Sequence, residues 1–378
     1  MSRLADLCWL LLACLIGVGC TAQQSVQAAA SGVPTRAAAS MALRPQWIQV
    51  PRTIGRITAA QLGVVINTTD PYSVAVGEYY VQRRRIAPEH VLRLALPRHA
   101  RLSVAELENL RRRIDEFFGD RVEALALAWV QPFAVECQSI TGALTLGFDP
   151  DLCSHTCARS NLSRYHNAMT ERPWTDLGLR PSMLLAARTV EQARAMIDRG
   201  IAADYSLGLR GALPAQVYFL ATSDAARSVR ERVFPPAGLQ PRQGIDVHVE
   251  RTNAFRRHDR LLLVETGLAR LTDLDTLGWL PGALADHLTS FGGVLDQTGG
   301  QTTALAWIES GATASYGTVS EPCNHLEKFP HPQKLLLHYV QGSSALEAYW
   351  KSVAWPQQGV FVGEPLAAPF ARRVPSSP

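Results

Sequence analysis

The sequence predicts an α/β domain built on a mainly parallel sheet with helices on its faces. Three observations carry that expectation. Residues 62–67 (LGVVIN), 124–130 (ALALAWV) and 261–265 (LLLVE) are short apolar runs, the pattern of strands covered on both faces. A further strand-length run at 91–96 lies between two helix-length segments, so strands and helices alternate from residue 62 to residue 130. Ser103 and Glu106 stand three apart at the head of the second helix, the spacing of a capping box. Right-handed crossovers are the default for such units.

Taken in order, the chain opens on a targeting segment. Arg3 precedes an apolar run at 7–18 that is too short to span a bilayer and is followed by small residues. Cys20 follows Gly17-Val18-Gly19, which resembles a bacterial lipoprotein cleavage box, with Gly17 where the usual leucine stands. Residues 11–14 (LLAC) fit that box better but would leave too short an apolar region for a signal. The expectation is a signal peptide over 1–20 and a lipid on Cys20 that anchors an exported, periplasmic or outer-membrane-associated chain, with plain export after removal of the signal as the alternative. Residues 21–45, rich in Ala, Ser and Gln, read as a tether, 46–370 as a single α/β domain and 371–378 as a disordered tail.

Within the domain, residues 68–73 turn from the first strand into a helix reaching about Arg84, with Asp70 or Ser73 as its cap. The second helix covers 103–118. A loop-rich insertion at about 131–181 follows the third strand. A helix at 190–199 ends at Gly200, and a strand at 215–221 leads to an arginine-rich helix at 223–234. Strands at 245–249 and 261–265 come next. The stretch from Ala285 to His325 reads as a strand ending at Ser290, a Gly-rich loop, a helix at about 301–310 and a strand ending near Thr318. Helices at 332–341 and 343–351 are broken at Gly342, and a last strand runs over 359–362, with Tyr349, Trp350 and Trp355 packing this end on the sheet.

Composition narrows the function. With 378 residues, 47% hydrophobic and 19% charged, the chain is long enough for a full globular core. The net charge is +4, and arginine clusters such as 83–85 and 111–113 lack interleaved aromatics, so they read as solvated helix faces and no nucleic-acid partner is expected. Export leaves Cys137, Cys153, Cys157 and Cys323 in an oxidising compartment, where two disulfides are expected in one of three connectivities. Cys153, His155 and Cys157 with one more cysteine are an alternative ligand set, but Cys-x-His-x-Cys is not a usual zinc spacing and no metal is expected.

No phosphate loop, dinucleotide fingerprint, nucleophile elbow or zincin motif occurs, so no cofactor is expected. Candidate ligand-binding residues lie where strands end: Asn67, Asp70 and Ser73 after the first strand, Thr266 after the strand at 261–265, then Gly292, Gly293 and Glu321. If these strands run parallel, their ends share one crevice, where the glycines let backbone approach a ligand. The candidates for a hydrolytic site are Ser290, His287, Asp286 and Glu265, although neighbouring side chains in one strand alternate faces and cannot all converge.

Two resemblances carry further expectations. Gly311-Ala312, Tyr316-Gly317-Thr318, Glu321-Pro322, Gly342, Ala345 and Gly363-Glu364-Pro365-Leu366 resemble the C-terminal end of gingipain-type cysteine peptidases, which implies a caspase-like fold. More of the chain, from Leu62 to Phe370, resembles an uncharacterised family of exported bacterial proteins from genomes with exosortase systems. Its match rests on Val65-Ile66-Asn67 with Asp70 and Ser73, Arg180-Pro181-Ser182-Met183, Asp198-Arg199-Gly200, residues 288–293 (LTSFGG) and residues 317–323 (GTVSEPC). A caspase-like peptidase needs a His-Gly pair at one strand end and a Cys at the next. Here those places hold Glu265-Thr266-Gly267 and Thr289-Ser290, and Cys323 lies one strand too late. The resemblance thus implies a non-peptidase that binds an envelope protein or small-molecule ligand at the carboxyl edge of the sheet. An envelope hydrolase with a non-standard Ser/His/acid site is the alternative, and a disulfide-pinned scaffold without a pocket is a third.

Overall fold

The first apolar run forms the strand that starts the sheet, β1 (Leu62–Asn67), with all its residues buried. A computed structural model describes residues 45–209, 211–297 and 299–372, which belong to one compact unit. The signal peptide, Cys20, all but the last residue of the tether, and residues 373–378 lie outside the described residues.

From β1 the chain enters α1 (Pro71–Arg84) through Asp70, whose carboxylate accepts from the Tyr72 amide at 3.1 Å. β2 (Val91–Leu94) and β3 (Arg101–Leu102) precede α2 (Val104–Phe118), opened by the expected Ser103/Glu106 box, and β4 (Ala124–Leu127) follows. The insertion holds β5 (Ala134–Val135), β6 (Gln138–Ser139), α3 (Ile140–Leu146), α4 (Pro150–Ser154) and α5 (Pro173–Leu177). Then come β7 (Ser182–Leu184), α6 (Val190–Ala203), β8 (Ala215–Ala221), β9 (Gly238–Gln240), β10 (Ile245–Arg251), β11 (Leu261–Thr266) and β12 (Trp279–His287). α7 (Ala304–Ser310), β13 (Ala314–Thr318), α8 (Pro332–Val340), α9 (Ala345–Ser352) and β14 (Gly359–Gly363) complete the domain.

The result is a mixed α/β architecture around one large, mainly parallel sheet. Eleven strands run in the order β2-β1-β4-β7-β14-β13-β12-β11-β8-β10-β9, and β3, β5 and β6 form a small separate sheet. Within the large sheet the ladders are parallel except β13–β14 and β9–β10. The β13–β14 seam divides the large sheet. β2, β1, β4, β7 and β14 point one way, and β13, β12, β11, β8 and β10 point the other. The side chains show how the faces are covered: Gly77 of α1 sits over Ile66, Phe118 of α2 sits against Gly63, and Trp350 of α9 stacks on Phe361 with ring centroids 4.5 Å apart.

Three local expectations are corrected. Residues 223–234 form no regular helix, only a short 3-10 turn at Val229–Val233. Side chains compete for its backbone: the Ser228 hydroxyl accepts from the Thr222 amide at 2.8 Å, and Asp224 accepts from the Arg227 amide at 3.1 Å. The helix expected to stop at Gly200 continues to Ala203. Gly200 is there for packing, since a Cβ would collide with the buried carboxylate of Glu364, which Tyr80 (2.7 Å) and Arg84 (2.6 Å) hold in place. The strand expected to end at Ser290 ends at His287, because residues 288–293 turn back onto β13.

The four cysteines pair as Cys137–Cys153 and Cys157–Cys323, with Cα atoms 5.3 and 5.2 Å apart. The first bridge closes a short loop inside the insertion. The second ties the insertion to the turn after β13. This pairing takes Cys153 and Cys157 out of the alternative metal set with His155.

Candidate functional site

The seam decides which strand ends meet. β11 and β12 run parallel to each other, but β1 runs in the opposite sense and lies five ladder steps from β12. At about 4.8 Å per step that is roughly 24 Å across the sheet. The expected single crevice of Asn67, Asp70, Glu265, Thr266 and Ser290 is therefore not formed. Two separate places have to be considered.

At β11 and β12 the acids turn inward. Glu265 and Asp286 are register partners on adjacent strands, both fully buried, and Arg230 from the 3-10 turn reaches between them. Its guanidinium donates to Asp286 at 2.6 Å and to the Thr266 carbonyl at 3.2 Å, and lies 3.1 Å from Glu265. Two acids share one cation. Burial raises both acids above the ordinary carboxylate range, Glu265 well above it, and the guanidinium between them opposes the shift, with its hydrogen bond going to Asp286. Glu265 thus binds a proton in the folded state at a pH where the unfolded chain has lost it. Its contribution is fully present below about pH 4.3, the ordinary glutamate value, and is lost as pH rises toward the raised folded value. Glu265→Gln, which copies the protonated shape, is expected to match wild type in acid and to gain on it steadily as pH rises. Urea melts at pH 4.5, 6 and 8 test this; a constant difference across the series would contradict it.

His287 points to the opposite face. Its Nδ1 accepts from the Trp307 indole at 3.0 Å, so Nε2 carries the hydrogen and donates to the Thr302 carbonyl at 2.8 Å. Burial pushes this imidazole down to about 4, which keeps it neutral. Asp286 and His287 are thus committed to opposite faces, and the hydrolytic set Ser290, His287, Asp286 and Glu265 does not converge. Half-buried Ser290 lies in the turn beyond, where its carbonyl accepts from the Thr318 hydroxyl at 2.9 Å. Thr266 is buried, and its hydroxyl accepts from the Leu268 amide at 3.2 Å.

The glycines of this turn serve the chain's own packing. The Gly293 amide donates to the Thr318 carbonyl at 2.8 Å, and a Cβ on Gly317 would collide with the backbone of Gly292 and Gly293. Glu321 is used locally as well: it accepts from the Cys323 amide at 2.9 Å.

The other place lies beyond β1, β4 and β7. The chain passes from β1 to β2 on one side and returns to β4 on the other, so a topological switch point lies between β1 and β4. Asn67 closes the β1 side. Its side-chain oxygen accepts from the Leu96 amide at 2.9 Å and the Thr69 hydroxyl at 2.9 Å, its amide nitrogen donates to the Leu96 carbonyl at 3.2 Å, and its backbone amide donates to Ser73 Oγ at 2.8 Å. Asn67 and Ser73 spend their polar atoms inside the fold.

Asp70, besides capping α1, lines an open crevice of about 360 Å3 with Tyr72, Arg98, Val130, Gln131, Ala187, Arg188, Leu295 and Leu305. Tyr72 braces the floor, its hydroxyl donating to the Leu185 carbonyl at 3.1 Å and accepting from the Ala187 amide at 2.8 Å. Arg98 lies 3.9 Å from Asp70, and Arg188 pairs with Glu309 at 2.9 Å. Gln131 donates to Asp296 at 3.1 Å, which joins the β4 end to the segment after β12. Asp70 is the one crevice residue that sequence reasoning singled out. The others come from the first turns of α1 and α7 and from loops whose composition carries no motif, and the place of Val130 at the end of an expected strand was the cue that the sequence offered.

No protein-family model matches the chain, and no curated protein matches it. Among solved structures it is similar to a protease at a TM-score of 0.44 and 10% identity, over 83% of this chain and 79% of that one. It is also similar to the Arg-specific cysteine proteinase gingipain R at a TM-score of 0.43 and 10% identity, over 85% and 80% of the two chains. A third is the complex of Porphyromonas gingivalis RgpB pro- and mature domains, at a TM-score of 0.43 and 8% identity, over 82% and 79%.

Proposed function

We propose that the chain is an exported, envelope-anchored, non-peptidase protein of caspase-like type that binds a ligand or partner at the carboxyl edge of the β1/β4/β7 half of its sheet. One observation carries the non-peptidase reading. At the two strand ends where the resemblance calls for an imidazole and a thiolate, the chain places buried Thr266 and half-buried Ser290, while His287 is locked neutral on the far face and Cys323 is bonded to Cys157. The binding reading is supported by the crevice at the switch point, where polar rim groups and apolar walls converge. The two bridged cysteine pairs favour an oxidising compartment, in keeping with the signal and the lipid on Cys20 read from the sequence.

The test is direct. The mature domain is incubated with a mixed peptide library and the products are read by mass spectrometry. No cleavage above a buffer blank is expected, for wild type and Ser290→Ala alike. Cleavage by wild type that Ser290→Ala abolishes would overturn the proposal in favour of the hydrolase.

A further inference from the structure

We infer that the crevice at the β1/β4 switch point takes an organic carboxylate carried on a small apolar body. This rests on reading that crevice as the binding site and adds the class of ligand. The walls supply the apolar part: Val130 beyond β4, and Leu295 and Leu305 from the segment after β12. Its volume of about 360 Å3 matches a ligand of a few carbon atoms beyond the charged group, at the small end of the range for ligand pockets.

The rim supplies the charge. Arg98 is largely exposed, and its ion partner among the described residues is Asp70 at 3.9 Å, beyond hydrogen-bond reach, so its guanidinium is free to turn toward a ligand. Arg188 uses Nε for Glu309 and leaves its terminal nitrogens for a second anion. Asp70 is the only acid in the lining, and one of its oxygens is already held by the Tyr72 amide. Arg98, whose ion partner lies 3.9 Å away, and the terminal nitrogens of Arg188, which keeps Glu309 on its Nε, present two guanidinium forks at the rim, and a planar carboxylate suits the paired N–H geometry of arginine. A free short-chain acid and the carboxyl terminus of a peptide ending in an apolar residue both present this chemistry.

The test uses the mature domain with both bridges intact. N-acetyl-leucine, N-acetyl-leucinamide, hexanoate and acetyl-Ala-Leu are titrated by calorimetry. The acid is expected to bind at least tenfold more tightly than its amide, and Arg98→Gln and Arg188→Gln, both on the exposed rim, are each expected to weaken it about fivefold to tenfold. Hexanoate binding as well as N-acetyl-leucine sustains the inference and identifies a free acid; preference for acetyl-Ala-Leu sustains it and identifies a peptide terminus. Equal binding of acid and amide, with loss of both in Leu305→Asp, overturns the carboxylate class and leaves the crevice as a site for something else. Acid binding untouched by either arginine substitution, or no saturable binding of any probe, overturns the inference; the non-peptidase reading stands or falls separately on the peptide-library result.

Discussion

Replacing Cys157 and Cys323 together by serine is expected to cost about 5 kcal/mol, more than replacing Cys137 and Cys153, at about 3 kcal/mol. The difference comes from loop length. Bridging residues 166 apart removes more freedom from the unfolded chain than bridging residues 16 apart. Cα separations of 5.2 and 5.3 Å are both ordinary for a disulfide. The longer bridge also organises its surroundings: Lys328 donates to the Thr156 carbonyl at 2.5 Å, and His325 donates to the Cys157 carbonyl at 2.9 Å. Urea melts of both double variants under oxidising conditions decide the matter. Equal losses, or a larger loss from the short loop, would mean that native-state contacts outweigh chain entropy here.

The second large effect belongs to Arg230. Arg230→Met is expected to destabilise the protein by about 3–5 kcal/mol at neutral pH, because it leaves the Asp286 carboxylate buried without its cation. Glu265 offers no compensation, since a carboxyl group carries no positive charge in either protonation state. In the background of Asp286→Asn the same substitution removes no ion pair, so its cost is expected to fall by more than 1 kcal/mol. A cost below 1 kcal/mol in the wild-type background would show that Asp286 simply takes up a proton when the arginine is gone. The Arg230 cluster is thus a structural ion pair whose removal acts through folding. The crevice arginines differ in this respect, since Arg98 and Arg188 are exposed and are expected to alter binding without altering stability.

The contrast between these two groups of arginines shows what local sequence can and cannot tell. Leu62–Asn67, Ala215–Ala221 and Leu261–Thr266 were legible as strands because an apolar run covered on both faces is a property of the run itself. The Ser103/Glu106 box, the break at Gly342 and a cap at Asp70 or Ser73, of which the structure uses Asp70, were legible for the same reason: each depends on residues within a few positions. Ser182–Leu184 was not, since three residues are too few for any period to show, although they join the two strands on either side into one sheet.

The site was legible only in part. The expectation of export and an even count pointed to bridged cysteines, while the partners depended on which loops the fold brings together. Alternation along a strand already forbade Asp286 and His287 from sharing a site, and the structure adds what each faces, Arg230 on one side and Trp307 on the other. Strand direction was beyond reach: the antiparallel β13–β14 ladder reverses half the sheet and separates Asn67 and Asp70 from Thr266 and Ser290, and ladder sense is set by long-range packing that no local pattern encodes. Local pattern was enough for most of the strands and helices, for their caps and for the expectation of bridged cysteines. The burial of Arg230, the exposure of Arg98 and Arg188, and the meeting of Asp70, Gln131, Arg188, Leu295 and Leu305 in one crevice came from the assembled fold, since these residues belong to segments far apart in the chain. Burial and convergence depend on which distant surfaces meet, and the chain settles that when the sheet assembles.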